Sequence, residues 1–153
     1  MNNKIYIIAI LLLGILCSCG KNEVEPYDKP FIHIMKDDAQ NVTVTSNRRD
    51  IVAYNVYLSS RTLSSSLEVT YSIVVGDGLK QGVDFRVVTN GNTLVFPPSI
   101  FDMPIRIQWL EHSVDPSKDN TLRIVLEKNN QNILMGLPGP DHLQRELVIT
   151  KEN

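Results

Sequence analysis

Apolar and polar residues alternate along most of this chain with a period of two. Val42 and Val44 flank Thr43 and are followed by Thr45; Val52, Tyr54, Val56 and Leu58 share one phase; Leu67, Val69, Tyr71, Ile73 and Val75 share another. Such alternation sends successive side chains to opposite faces of an extended backbone, so each run reads as a half-buried β-strand. Further strands are expected at Phe31–Lys36, Phe85–Val88, Thr93–Phe96, Pro104–Leu110, Thr121–Glu127 and Glu146–Lys151, all rich in Val, Ile, Thr or aromatic residues. Turn-forming residues separate them at Ser46-Asn47, Gly76-Asp77-Gly78, Asn90-Gly91-Asn92, Pro97-Pro98, Asp115-Pro116 and Gly136 to Asp141. No stretch sustains a helical stripe, which excludes an α/β alternation.

About eight short strands, each with one apolar face, bury those faces best by packing two sheets together. The expected fold is therefore all-β, an antiparallel two-sheet sandwich of immunoglobulin-like type, with a small closed barrel as the alternative.

One segment breaks the pattern. Ile5 to Leu16 contains no charged residue and follows a short stretch, Met1 to Lys4, with one positive charge. A membrane-spanning helix needs about 20 apolar residues, so this shorter run matches a secretory signal instead. It ends at Leu16-Cys17-Ser18-Cys19, which holds both cysteines of the chain. That tetrapeptide resembles a bacterial lipobox, with Leu16 and Ser18 at the aliphatic and small positions. The resemblance implies cleavage before Cys19 and acylation of Cys19, while Cys17 leaves with the signal. A plain secretory peptide is the alternative; a Cys17–Cys19 disulfide is disfavoured because residues two apart rarely meet the required geometry. Acyl chains contribute roughly 0.8 kcal/mol per buried methylene, so two or three would anchor the protein durably to a membrane without spanning it. The expected organisation is a signal peptide at 1–18, a flexible tether at 19–30 and a sandwich at 31–153. The tether, GKNEVEPYDKP up to Pro30, is polar and proline-containing. Its Lys21, Glu23 and Glu25 resemble the acidic signals that send some lipoproteins of Bacteroidota to the cell surface.

Composition adds little beyond this. The chain has 153 residues, enough for one domain with a real core, and 15 basic against 17 acidic side chains give a net charge of -2. That balance offers no electrostatic footprint for nucleic acid.

Within the folded part, Val69-Thr-Tyr71, Gly82-Val-Asp84-Phe85, Gly91-Asn-Thr-Leu94-Val-Phe96 and Ile105-Arg-Ile107 follow in an order that resembles the Calx-beta type of sandwich. The match implies a Gly-x-Asp-aromatic corner, a Gly-x-Leu-x-Phe hairpin and an alternating Ile strand. At the corner, Gly82 supplies an unusual backbone angle, Asp84 hydrogen-bonds the turn and Phe85 re-enters the core. Calcium-binding members carry acidic pairs after the Ile strand, whereas here only Glu111 and Asp115 follow. Calcium takes about six to eight oxygen ligands, so no metal site is carried over. More broadly, the lipobox and sandwich resemble small surface lipoproteins of Bacteroidota, many of them accessory to glycan uptake. The ending Met135 to Asp141 followed by Leu147 to Lys151 is similar to that group's closing hairpin and last strand.

Other chemistry is mostly absent. Gly76, Gly78 and Gly82 have the wrong spacing, and no following helix, for a dinucleotide loop; a hairpin turn is expected. His33, His112 and His142 are dispersed and do not suggest zinc. No serine sits in a nucleophile elbow, and a glycosidase would require Asp84, Glu111 and Asp115 to converge in one cleft. Trp109, the single tryptophan, shares phase with Ile105 and Ile107, which points to the core, with a sugar-stacking platform as the alternative. Phe101, near a loop tip, and Tyr27 are the other ligand-facing candidates; Phe101 equally suits a plug for the sandwich end.

The expected function is non-enzymatic and cofactor-free: a lipid-anchored binding or assembly module in the outer membrane, exposed at the surface. Its partners would be the membrane through the anchor and a polysaccharide or envelope protein, beside a glycan-acquisition system. The alternative is a structural or adhesin-type subunit that exchanges strands with a neighbour.

Overall fold

The computed structural model describes residues 28–153. The segment expected to be a signal peptide, Cys19 and Tyr27 lie outside the described residues, as does all but the end of the expected tether.

Among the described residues the chain forms β1 (Phe31–Met35), β2 (Asn41–Thr45), β3 (Ile51–Ser59), β4 (Leu67–Val75), β5 (Phe85–Val87), β6 (Thr93–Phe96), β7 (Asp102–Trp109), β8 (Thr121–Asn129), β9 (Leu134–Met135) and β10 (Glu146–Glu152), with no helix. They build two five-stranded sheets, ordered β5-β7-β3-β1-β9 and β2-β10-β8-β4-β6. The fold is an all-β sandwich. β1 and β2 are consecutive yet join different sheets: β1 runs antiparallel to β3, and β2 runs parallel to β10.

The core is the set of inward phases read from the alternation. One sheet contributes Ile32, Ile34, Val52, Tyr54, Val56, Leu58, Ile105, Ile107 and Trp109; the other contributes Leu67, Val69, Tyr71, Leu94, Phe96, Leu122, Ile124, Leu126, Leu147 and Ile149. Val75 keeps the inward phase, across from Leu122, but is exposed at the far end of β4, beyond the stretch from Leu67 to Thr70 that β6 covers.

Two turn assignments need correction. Gly76 to Gly82 is not a hairpin turn; it carries the chain from β4 in one sheet to β5 in the other. Gly78 is required there by close approach, since a Cβ would collide with the Asn120 side chain and the Asp119 carbonyl. Gly91-Asn-Thr-Leu94-Val-Phe96 is likewise not half of a β5–β6 hairpin, because β6 pairs with β4. The Gly82-Val-Asp84-Phe85 corner does form: Gly82 has φ 89° and Phe85 is fully buried. The last hairpin pairs β8 with β10, and the two-residue β9 in its connection turns aside to run parallel to β1. Ile34 then donates its amide to the Gln144 carbonyl at 2.8 Å, so both β9 and Gln144 cover the outer edge of β1.

Candidate functional site

Two features stand out from an otherwise ordinary sandwich, one on an outer face and one at the end of the core.

The outer face of the first sheet carries a row of rings. Phe31 and His33 occupy the phase of β1 opposite Ile32 and Ile34, and Tyr57 of β3 lies directly across from His33 in the strand register. The Phe31 and His33 rings stack at 5.4 Å between centroids, and His33 and Tyr57 follow at the same 5.4 Å, tilted. All three are half-buried. Burial pushes the His33 imidazole below its usual value, and among the described residues neither ring nitrogen has a hydrogen-bond partner. The row is therefore held as an uncharged, largely apolar strip. Polar groups border it: Asp102 pairs with Tyr57 in the register, and Asn55 donates to Asp102 Oδ2 at 3.4 Å. Flat rings beside a half-buried carboxamide and an exposed carboxylate are the groups that a sugar ring needs, its apolar face on the rings and its hydroxyls on the rim.

The second feature is an ion pair inside the core. Lys151 shares the inward phase of β10 with Leu147 and Ile149, and its side chain is fully buried. Its Nζ donates to Asp84 Oδ1 and to the Leu110 carbonyl, both at 3.0 Å. Asp84, 2% exposed, also takes the Lys80 amide on Oδ2 at 2.8 Å. His112 Nδ1 meets Asp84 Oδ1 at 2.9 Å, and its ring is half-exposed, so it links the buried pair to solvent. Burial alone would raise the Asp84 pKa; the hydrogen bonds from Lys151, the Lys80 amide and His112 outweigh it and hold the carboxyl below its ordinary range. The backbone locks this arrangement, with Asp84 N–H donating to Lys80 O and Leu110 N–H to Asp84 O.

The residues singled out from the sequence fall elsewhere. Trp109 is fully buried and its indole N–H donates to Tyr54 Oη at 2.9 Å, so it is a core residue and cannot serve as a ligand platform. Burial raises the Tyr54 hydroxyl to about 12 despite that bond from Trp109. Phe101 is 39% exposed at the entry to β7, next to Asp102, and its carbonyl accepts from Leu58 N–H; it makes no ring contact with the row. The three acidic residues a glycosidase would need have separate partners: Asp84 binds Lys151, Glu111 pairs with Arg49, and Asp115 caps Ser117. Among the described residues no three His, Cys, Asp or Glu side chains converge as metal ligands.

The alternation contained a signal for both features. Phe31 and His33 sit together in the outward phase of β1, and a lysine occupies an apolar phase in Leu147-Val-Ile149-Thr-Lys151. The partners were not visible, because strand register and the path of the β4–β5 crossover bring Tyr57 and Asp84 into place. No family model matches the chain, and no curated protein matches it.

Proposed function

We propose that this protein is a lipid-anchored envelope lipoprotein whose sandwich is a non-enzymatic binding module, with a glycan bound along the Phe31–His33–Tyr57 row. The observation that carries this reading is the row itself: three rings spaced by 5.4 Å on a rigid sheet, bordered by Asn55 and Asp102. Sites on paired strands hold their geometry better than loops, and stacked rings lose little entropy on binding. An oligosaccharide would lie across β1 and β3 with a pyranose face on Tyr57. The residues that support an anchor are Leu16, Ser18 and Cys19, and the chain enters the sandwich at Phe31, beside the row. We also read the sandwich as immunoglobulin-like and of Calx-beta type. The division of the first strand pair between the two sheets and the corner at Gly82 to Phe85 support that reading.

Two outcomes check it. A single Tyr57→Ala exchange is expected to weaken retention on the best-bound polysaccharide of a glycan array by about tenfold, the loss of roughly 1.4 kcal/mol, while thermal unfolding stays cooperative. If the wild-type chain retains no glycan, or Tyr57→Ala binds equally well, the glycan reading is wrong. In cells fed a clickable fatty acid, wild-type protein is expected to be labelled and Cys19→Ala is not; label persisting in the variant would refute the anchor.

A second reading has its own observation. β4 runs to Val75 while β6 leaves it after Thr70, and the open edge borders a groove lined by Ile73, Gln81, Val87 and Asn92. An edge of this kind accepts an added strand, as an assembly or adhesin subunit would use it. The Tyr71 amide points to the β6 side and the Gly76 amide to β8, so the Val75 amide faces the open edge; a concentration-dependent dimer or oligomer abolished by Val75→Pro would favour this reading.

A further inference from the structure

We infer that Lys151 and Asp84 are the two halves of an internal covalent brace: the Lys151 side-chain nitrogen condenses with the Asp84 carboxyl carbon to form an amide, with loss of one water. The reacting groups are already in contact, Nζ standing 3.0 Å from Oδ1, and both side chains are almost wholly excluded from solvent. The contact pair rests ionised, and a dry interior lowers the cost of the proton transfer that neutralises both groups before attack. It also keeps out the water that would hydrolyse the product.

The surrounding groups match the steps of the condensation. A proton passes from the Lys151 ammonium to Asp84 along their hydrogen bond, leaving a neutral amine against a neutral acid. The amine nitrogen attacks Cγ, and the new C–N bond pushes an electron pair onto Oδ2. The Lys80 amide, 2.8 Å from Oδ2, donates to the oxygen that becomes the oxyanion. Oδ1 is the leaving oxygen, and His112 Nδ1 stands 2.9 Å from it. The nitrogen gives up a proton, Oδ1 receives one through His112, the C–Oδ1 bond breaks and water departs. An ammonium and a carboxylate have become one neutral amide and one water, so atoms and charge balance without any co-reactant. The half-exposed edge of His112 connects the relay to solvent. His112 acts here as a proton-relay residue, and the Leu110 carbonyl, 3.0 Å from Nζ, aligns the nucleophile.

The product would tie the last strand, β10, to the crossover that joins the two sheets between β4 and β5. With both cysteines confined to positions 17 and 19, the folded part has no disulfide to do this. The brace stands independently of the glycan reading.

Trypsin exposes the bond directly. Cleavage after Lys80, Arg86 and Arg145 releases residues 81–86 and the C-terminal stretch from Glu146 as separate peptides when the side chains are unlinked. Amide formation instead yields one branched peptide, residues 81–86 joined to residues 146–153, lighter than their sum by one water and uncleaved at Lys151. The full chain, folded and incubated from mildly acidic to mildly basic pH before denaturation and digestion, is expected to give the branched species as the main form. Lys151→Arg keeps the cation and is expected to give none. His112→Gln is expected to slow the conversion by about 100-fold and to flatten its dependence on pH. Recovery of the wild-type peptides only in unlinked form at every pH overturns the brace, and that result stands even if either variant fails to fold. Water loss confined to the 81–86 peptide, the mark of a local succinimide at Asp84, overturns it equally.

Discussion

Replacing Asp84 with alanine is expected to lower the unfolding free energy by about 3–5 kcal/mol, because it strands the Lys151 ammonium in the core with only the Leu110 carbonyl for a partner. Urea denaturation followed by circular dichroism would show it as a drop in midpoint at nearly unchanged slope. A companion exchange isolates the cause. Asp84→Leu combined with Lys151→Met removes both charges and is expected to recover much of the loss, since buried pairs are often replaceable by well-packed apolar residues. If the double variant is as weak as Asp84→Ala, the corner itself, through the Lys80 amide bond, matters more than the charges.

The same pair sets an acid limb while it remains ionic. Asp84 is held below its ordinary value in the folded protein, so its contribution is fully present above the unfolded carboxylate value of about 3.9 and is lost as pH falls through the lower folded value. Stability should therefore decline with acid in the wild type and less steeply in the Asp84→Leu, Lys151→Met variant. Conversion to the amide would remove Asp84's share of this limb, which makes the pH profile a second readout of the chemical state of the pair.

Trp109→Ala is expected to cost about 3–5 kcal/mol as well, by a different route. It empties the largest fully buried volume in the sandwich and leaves the Tyr54 hydroxyl without the indole donor. Trp109→Phe should cost less, because the ring contact with Phe85, now 6.2 Å between centroids, can be partly kept while the hydrogen bond is lost. Thermal unfolding by far-ultraviolet circular dichroism is the suitable probe, since the exchange also removes the only tryptophan fluorophore. A loss below about 1 kcal/mol in Trp109→Ala would mean that the cavity collapses or that the indole packs less tightly than its burial indicates.

All nine segments expected from alternation form strands, and their inward phases form the core. The signal was strong because each strand buries one face only, so the pattern of two survives along Val52 to Leu58 and again along Leu147 to Lys151. β9 escaped because two residues cannot display a period. The crossing at Gly76 to Gly82 read as a hairpin because glycine and aspartate report a bend but not which sheet the chain enters next. Site residues were hidden for the same reason. His33 and Tyr57 meet only once the β1–β3 register is set, and Asp84 reaches Lys151 across a sequence separation of 67. Trp109 was the opposite case: its phase with Ile105 and Ile107 already placed it inside.

The pairing of β2 with β10 has a kinetic meaning. Gln40, at the mouth of β2, receives the Gln144 amide across a separation of 104 residues, and the Val148 amide reaches the Gln40 carbonyl. Among the described residues β2 pairs with no other strand. Closing so long a loop costs entropy before any contact repays it, and domains dominated by distant pairings fold in milliseconds to seconds. The second sheet thus stays open at one edge, with the apolar face of Val42 and Val44 unsealed, until Glu146 to Glu152 arrives. During that interval the chain is at its most vulnerable to aggregation and to proteases, and any holding factor would be expected to act then.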